Sequence, residues 1–312
     1  MKTTIDWLTF RTKANPFETL EKLRPLFGTA GDLLTLKTGL QGKDGWLRAG
    51  ELSMAGDIAL GRVDYDGESQ RGWVRVSLTG EGCGWVQDWE FAERFPDVLG
   101  ESEIRRLDIA LTTYRGEVTH DMVIAAHGQA LFSSGGRQPH YRVLAGSDPR
   151  AGRTIYVGKR AASDKMLRCY EKGFEMLKDV PESLKATVSH INGHLVDQIY
   201  RVELELKPET KCIDWSAIQR RDQVFAGSYP FCAGLLPGVD HVRLEALPNM
   251  KPVMTLEKSL DNMRRAYGGA VAAAILAFGG GPEAEEKVLQ LITSPTPSKR
   301  LIEAGVLTCD HV

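Results

Sequence analysis

Three short stretches of this chain repeat one arrangement: an arginine, one intervening residue, then a group able to act on phosphate. They are Arg106-x-Asp108, Arg168-x-Tyr170 and Arg201-x-Glu203, and the residues between are Leu107, Cys169 and Val202. Alternation of this kind marks a β-strand with two unlike faces, because successive side chains point to opposite sides. One sheet face is then core, and the other carries guanidinium, carboxylate and phenol groups. Such a face is costly to bury dry and comfortable against solvent, a metal or nucleic acid.

These groups together suit phosphodiester chemistry. Arginine grips phosphate through paired donors. Asp108, Glu203 and Glu205 offer hard oxygen ligands for a divalent metal, Mg2+ or Mn2+, and a metal on a phosphate oxygen offsets developing charge. A phenol with an ordinary pKa of about 10 is a weak nucleophile at neutral pH; a nearby metal and the cation Lys172 would favour the phenolate. The combination points to tyrosine attack on a phosphodiester, leaving a phosphotyrosyl enzyme. A structural reading competes with it. Tyrosine is a good strand residue, and Arg–Glu pairs on exposed sheet faces give modest stabilisation. The pattern alone leaves both open.

The elements that must position these residues can be read around them. TIDWLTF (4–10), RRLDIALTTYRG (105–116), the second arm of a hairpin over 153–177 with its turn at AASDK, and IYRVELELK (199–207) read as strands. On the hairpin arm Leu167 and Cys169 share one face, and Arg168, Tyr170 and Lys172 the other. Asp66-Gly67, between strand-like runs, predicts a tight hairpin. Helices are expected at about 16–27, with Asn15 as cap and Pro16 in the first turn, and at 87–100 and 119–130. GEGCG (80–84) reads as a tight turn. After Lys207 the chain turns helical, over 213–226, 255–278, 283–293 and 298–305, with SPTPS (294–298) as a linker. The expected organisation is a sheet domain over 1–210 and a mainly helical region over 211–312. The fold class is α+β, an antiparallel sheet with helices packed on one face.

Composition narrows the functions. The chain has 312 residues and a formal net charge of −2, yet nine Lys/Arg against three acids fall between Arg137 and Lys172. A local basic patch on a near-neutral chain suits phosphate binding; Lys159, Arg160 and Lys165 join Arg106, Arg168 and Arg201 as candidate DNA-phosphate contacts. Five widely spaced cysteines without a C-x-x-C pair argue against a disulfide framework or a zinc knuckle. His190 and His194 could share a helix face, but Gly193 and the want of a third ligand count against zinc. SSGGRQ (133–138) lacks the lysine and spacing of a P-loop, so nucleotide hydrolysis is not expected. No apolar run approaches the roughly 18 residues of a membrane span, and the N-terminus lacks a secretory pattern; a cytoplasmic protein without a membrane partner is expected.

IDWLTF (5–10), LTGEGCGWV (78–86), RRLDIAL (105–111), TIYVGKRAASDKMLRCYEKGFE (154–175) and YRVELELK (200–207) occur in an order that resembles the replication initiation factor family. That family includes rolling-circle replication initiators of plasmids and filamentous phages and is related to some conjugative-element relaxases. The resemblance spans roughly residues 1–210 and implies a catalytic nicking domain there, with the helical region over 211–312 left for DNA recognition or oligomerisation. It implies a metal-dependent endonuclease, a nickase that cuts one strand of a double-stranded origin. The enzyme stays on the 5′ phosphate through tyrosine and leaves a 3′ hydroxyl to prime synthesis. It implies origin DNA and the nicked single strand as partners, a host helicase and replication machinery beyond them, a possible homodimer, and the cytoplasm of a bacterial host. Carried over by position, the tyrosine is Tyr170, its lysine Lys172, and the acidic strand residues Asp108 and Glu203. Where the family strand often reads Arg-x-Asp-x-Ala-x-Asp, this chain has Thr112, so a ligand is lost or supplied elsewhere, with Glu205 a candidate. Tyr156, Tyr200 and Tyr267 are rival nucleophiles. The alternative function is a catalytically inactive origin or operator binder of the same fold.

Overall fold

A computed structural model describes residues 1–161, 163–178, 180–209, 211–245, 256–294 and 296. The chain forms two compact units, Met1–Ala246 and Leu247–Val312.

The first unit is built on strands β1 (Thr4–Thr12), β2 (Leu34–Gln41), β3 (Arg48–Met54), β4 (Ile58–Tyr65), β5 (Val74–Leu78), β6 (Ser102–Thr113), β7 (Tyr141–Ala145), β8 (Arg153–Val157) and β9 (Lys165–Tyr170). A two-residue pair, β10 (His190–Ile191) and β11 (His194–Leu195), and strand β12 (Tyr200–Leu206) complete the set. Ten of the strands make one antiparallel sheet in the order β2-β3-β4-β5-β1-β6-β12-β9-β8-β7. Its helices are α1 (Pro16–Leu23), α2 (Gly80–Gly84), α3 (Phe95–Leu99), α4 (His120–Gly128), α5 (Lys172–Met176), α6 (Glu182–Lys185), α7 (Arg221–Ser228) and α8 (Pro230–Leu235). The second unit contains α9 (Leu256–Ala277) and α10 (Pro282–Ile292). The α+β class and the antiparallel sheet expected from the sequence are present. The helix expected over 298–305 lies outside the described residues.

The two sheet faces divide as the alternation requires. Leu8 and Phe10 of β1, Leu107, Ile109 and Leu111 of β6, Val202, Leu204 and Leu206 of β12, and Leu167 and Cys169 of β9 are buried in one core. Leu20 and Leu23 of α1, Phe95 of α3, Val123 of α4 and Phe225 of α7 complete that core. Phe10, Phe95 and Trp215 meet edge-on or tilted, with centroids 5.0–5.4 Å apart. Each fully buried leucine stabilises by about 1.5–3 kcal/mol, against about 0–1 kcal/mol for an exposed ion pair. The apolar face therefore holds the sheet, and the opposite face can carry polar groups without being needed for folding.

Asn15 caps α1 as expected, accepting from the amides of Phe17 and Glu18. Several local expectations are corrected. Asp66-Gly67 does not make a two-residue turn; a loop with a 3-10 turn at Glu68–Gln70 joins β4 to β5. The loop is held against its neighbour: the Leu47 amide donates to the Asp66 carbonyl at 3.1 Å, and a Cβ on Gly67 would meet the Gly45 carbonyl at 2.8 Å. GEGCG is a short helix capped by the Thr79 hydroxyl, not a turn. A Cβ on its Gly82 would lie 2.0 Å from the Leu60 carbonyl, so glycine permits the close approach. His190 and His194 lie on the β10–β11 hairpin, not on a helix, because Asn192 and Gly193 both take positive φ, as a tight hairpin turn needs. Strand β9 ends at Tyr170, so Lys172 does not continue its face. The chain turns at Gly173, whose Cβ would lie 1.9 Å from the Val196 carbonyl.

Candidate active site

Antiparallel pairing fixes which polar side chains become neighbours. Opposite Arg201, Glu203 and Glu205 on β12 stand Thr112, Ala110 and Asp108 on β6. On the other side of β12 stand Tyr170, Arg168 and Met166 of β9. Tyr156 of β8 is in turn opposite Arg168. The three Arg-x-(Asp, Tyr, Glu) stretches are thus brought onto one face of three adjacent strands.

The groups engage one another closely. Arg168 donates to Glu203 at 2.5 Å, and the Tyr170 hydroxyl donates to the same carboxylate oxygen at 3.3 Å. The Arg168 guanidinium lies 4.7 Å from the Tyr170 ring centroid, and the Lys172 ammonium 5.8 Å. Lys172 also pairs with Glu175. Arg106 holds Asp108 through two bonds of 2.9 and 2.5 Å and reaches Glu205 at 3.1 Å. Glu205 further accepts from Arg160 at 3.0 Å and pairs with Lys207 at 2.9 Å. Burial works against the charge of Glu205, yet Arg160, Lys207 and Arg106 outweigh it and hold its carboxyl below the usual range. Burial pushes the Tyr170 phenol well above its ordinary range, with Arg201 and Arg168 pulling the other way and Glu203 adding to the rise.

One further acid completes the face. Asp6 accepts from Arg201 at 2.6 Å, while the Arg201 Nε donates to Thr112 at 2.9 Å. The β1–β6 register shifts between Ile5 and Trp7, so Asp6 is an extra residue that falls outside the simple alternation. A second shift leaves Arg105 unpaired between Ile104 and Arg106. Strict period-two reading sends Arg105 to the core face, whereas it is exposed. The position that lacks an acid at Thr112 thus has a carboxylate nearby from another strand.

Not every candidate joins the cluster. Lys165 shares its register with Leu206 at the other end of β9; it donates to the Ser228 carbonyl at 2.5 Å and lies 4.1 Å from the Tyr229 centroid. Burial lowers its ammonium to about 8. Lys159 is exposed after β8. Among the rival tyrosines, Tyr200 faces the core with its hydroxyl 3.4 Å from His120 Nδ1, and Tyr267 is exposed on α9 of the second unit. Tyr156 remains on the Tyr170 face, with Arg142 5.4 Å from its ring centroid. Both tyrosines line a cleft of about 700 Å3 beside Arg150, Arg153 and Arg168.

Asp108, Glu203 and Glu205 have the right donor chemistry for a hard cation, but they do not gather into a metal cage. Among the described residues no group of three or more His, Cys, Asp or Glu is placed to hold a metal ion. Arg106 closes the Asp108–Glu205 pair, and Arg168 closes Glu203. Arg106→Ala should open that pair, so Mn2+ should raise the melting temperature of the variant by more than it raises that of the wild type. Equal shifts in a thermal-denaturation series would show that the pair does not take the ion.

Asp108 also gives a pH signature. It is 1% exposed, and burial raises its carboxyl to about 7 despite the Arg106 bonds, with Glu203 and Glu205 adding to the rise. Its folded pKa lies above the unfolded value, so the folded state binds more protons between about pH 4 and 7. Its contribution to stability is complete below pH 4 and is lost as the pH rises through 7. Melting temperatures across that range should fall with pH in the wild type relative to Asp108→Asn; parallel curves would contradict the assignment.

Residues 102–244 match the model of the replication initiation factor family. A solved structure described as a rolling circle replication initiator protein from Geobacillus stearothermophilus superposes with a TM-score of 0.51. The match covers 75% of this chain and 84% of that one at 22% identity, a likeness of fold. No curated protein matches the chain significantly. Among the described residues no helix is long and apolar enough to cross a membrane.

Proposed function

We propose, from the match of residues 102–244 to the model of the replication initiation factor family, that the Tyr170 face is a DNA-nicking centre that starts rolling-circle replication. The observation that carries this reading is the Tyr170 hydroxyl, bonded to Glu203 at 3.3 Å and bordering a cleft with cationic walls. Burial keeps the resting phenol protonated, so attack requires a base, and Glu203 is the acceptor already bonded to it. As the phenolic oxygen forms its bond to phosphorus, its proton passes to Glu203. The bond from phosphorus to the 3′ oxygen breaks, and that oxygen takes up a proton to become the priming hydroxyl. Arg168 and Arg201 lie where they can offset charge on the phosphate oxygens. The product is a 5′-phosphotyrosyl linkage on one strand of origin DNA.

Guanidinium groups pair with the carboxylates that would hold a divalent metal, and none of these steps is routed through one. The remaining parts of the reading are a cytoplasmic setting, a host helicase acting after the nick, and a possible homodimer. The test is to incubate the protein with supercoiled origin DNA, with and without Mg2+ or Mn2+, and to sequence the DNA-linked peptide by mass spectrometry. A peptide carrying Tyr170 supports the assignment. One carrying Tyr156 moves the nucleophile to the neighbouring strand, and salt-dependent binding without any adduct supports a catalytically inactive origin binder.

A further inference from the structure

A second cleft of about 750 Å3 lies over β4, β5 and β1, beside the nicking centre, and the chemistry above makes no use of it. Short side chains, Thr9, Ala59 and Ser77 with Gly61, line it. Six of its lining residues are arginine or lysine and two are aspartate, in a chain whose formal net charge is −2. Each of the six cations has a carboxylate partner: Arg11 and Arg105 share Glu103, Arg62 and Arg75 meet Asp64, Arg106 holds Asp108 and Lys207 pairs with Glu205.

The arginines are fixed in place. Asp64 is 1% exposed and accepts from Arg62 at 2.7 Å and from Arg75 at 2.9 Å. A buried carboxylate with two guanidinium partners is an expensive way to stabilise a sheet, because its desolvation offsets most of the attraction. It does hold both arginines upright over the cleft. Flat aromatic groups stand beside the cations. Arg106 lies 4.7 Å from the ring centroid of the half-buried Trp7 and Arg75 5.7 Å from that of Trp46, which is buried, while outside the cleft lining Arg11 and Lys13 lie 4.2 and 4.5 Å from that of Trp73. Trp7 is oriented by its own bond, Nε1 to the Thr9 hydroxyl at 2.9 Å.

We propose that this cleft binds a segment of single-stranded DNA. Its bases stack on the Trp7 indole and on guanidinium planes, and its phosphates are held by the arginines that line the cleft. Stacking of this kind tolerates any sequence, because every base has a flat face, and cationic grooves supply the rest of the affinity. A duplex hides those faces and would leave the tryptophans unused. The proposal rests on the nicking reading for the origin of the strand. Arg106 lines this cleft and also holds Asp108 and Glu205, so a strand lying here runs along the same face to the Tyr170 centre.

Fluorescence anisotropy with a labelled oligothymidylate and the full chain tests the cleft. Arg11→Glu combined with Arg105→Glu should weaken binding about tenfold or more and reduce the salt dependence by about 0.7 for each phosphate that no longer meets a cation. If the double variant binds as tightly as wild type, or a blunt duplex of the same length binds better than the single strand, the proposal is overturned. Should the double variant fail to fold, photocrosslinking of a 5-iododeoxyuridine oligonucleotide to the wild type decides. Crosslinks at Trp7 or Trp46 support the cleft, and crosslinks confined to other peptides overturn it. The two readings fail separately. Cleft-dependent binding without an adduct on any DNA retires the nicking centre and keeps the cleft, whereas an adduct alongside cleft-independent binding does the reverse.

Discussion

Tyr170→Phe should reduce formation of the protein–DNA adduct by at least about 10^3-fold, the order expected when a nucleophile is removed and nothing replaces it. The substitution deletes one oxygen and its bond to Glu203, so stability should change by only about 1 kcal/mol. Binding of origin DNA should persist, because the arginines remain. Tyr156→Phe is the control: it lines the same cleft and sits opposite Arg168, and it should keep the adduct. Gel separation of the covalent complex, alongside thermal denaturation, reads both quantities. An adduct at the wild-type rate in Tyr170→Phe would remove Tyr170 from the chemistry.

The second large effect is expected at Glu203. Glu203→Gln keeps the shape and can still meet Arg168 through its amide oxygen, but it cannot take the phenol's proton. Adduct formation should fall by about 10^2- to 10^4-fold. Glu203→Ala is a different experiment. It leaves the half-buried Arg168 without the carboxylate that holds it at 2.5 Å, and breaking such a pair costs up to about 3–5 kcal/mol. Arg168 is about one-third exposed, so water will screen part of that loss and the lower end is expected. If Gln and Ala variants lose activity equally while only Ala loses stability, the carboxylate acts in the reaction. If Gln retains full activity, Glu203 only positions Tyr170.

The strands that bear these residues are legible in the sequence because each obeys a simple period. Leu107, Ile109 and Leu111 alternate with Arg106 and Asp108, and Val202 and Leu204 alternate with Arg201 and Glu203, so both faces can be assigned from sequence. What the period cannot show is where it breaks. The extra residues at Asp6 and Arg105 are permitted by the register shifts of the β1–β6 pair, a property of two strands together that neither carries alone. IDWLTF by itself therefore does not mark Asp6 as the partner of Arg201. Lys172 leaves the strand face for a related reason: the turn after Tyr170 depends on the Val196 carbonyl approaching Gly173, a contact between distant segments. The edge strand β7, YRVLA, is exposed at every residue, although Tyr141, Val143 and Ala145 share one face. His190 and His194 show the opposite case. The Asn192-Gly193 pair between them is a readable hairpin cue, and it outweighs the four-residue spacing that would suit a helix face.

Tyr170 stands at the end of a strand that is hydrogen-bonded on both sides, to β12 and to β8. A DNA end joined there would be moored to an interior strand of a ten-stranded ladder, third from one edge. When a motor unwinds the duplex and draws on that end, the load would pass into the backbone bonds of two neighbouring strands at once, where a loop would simply peel away. The place proposed for the attack would thus also be one that bears tension on a joined strand.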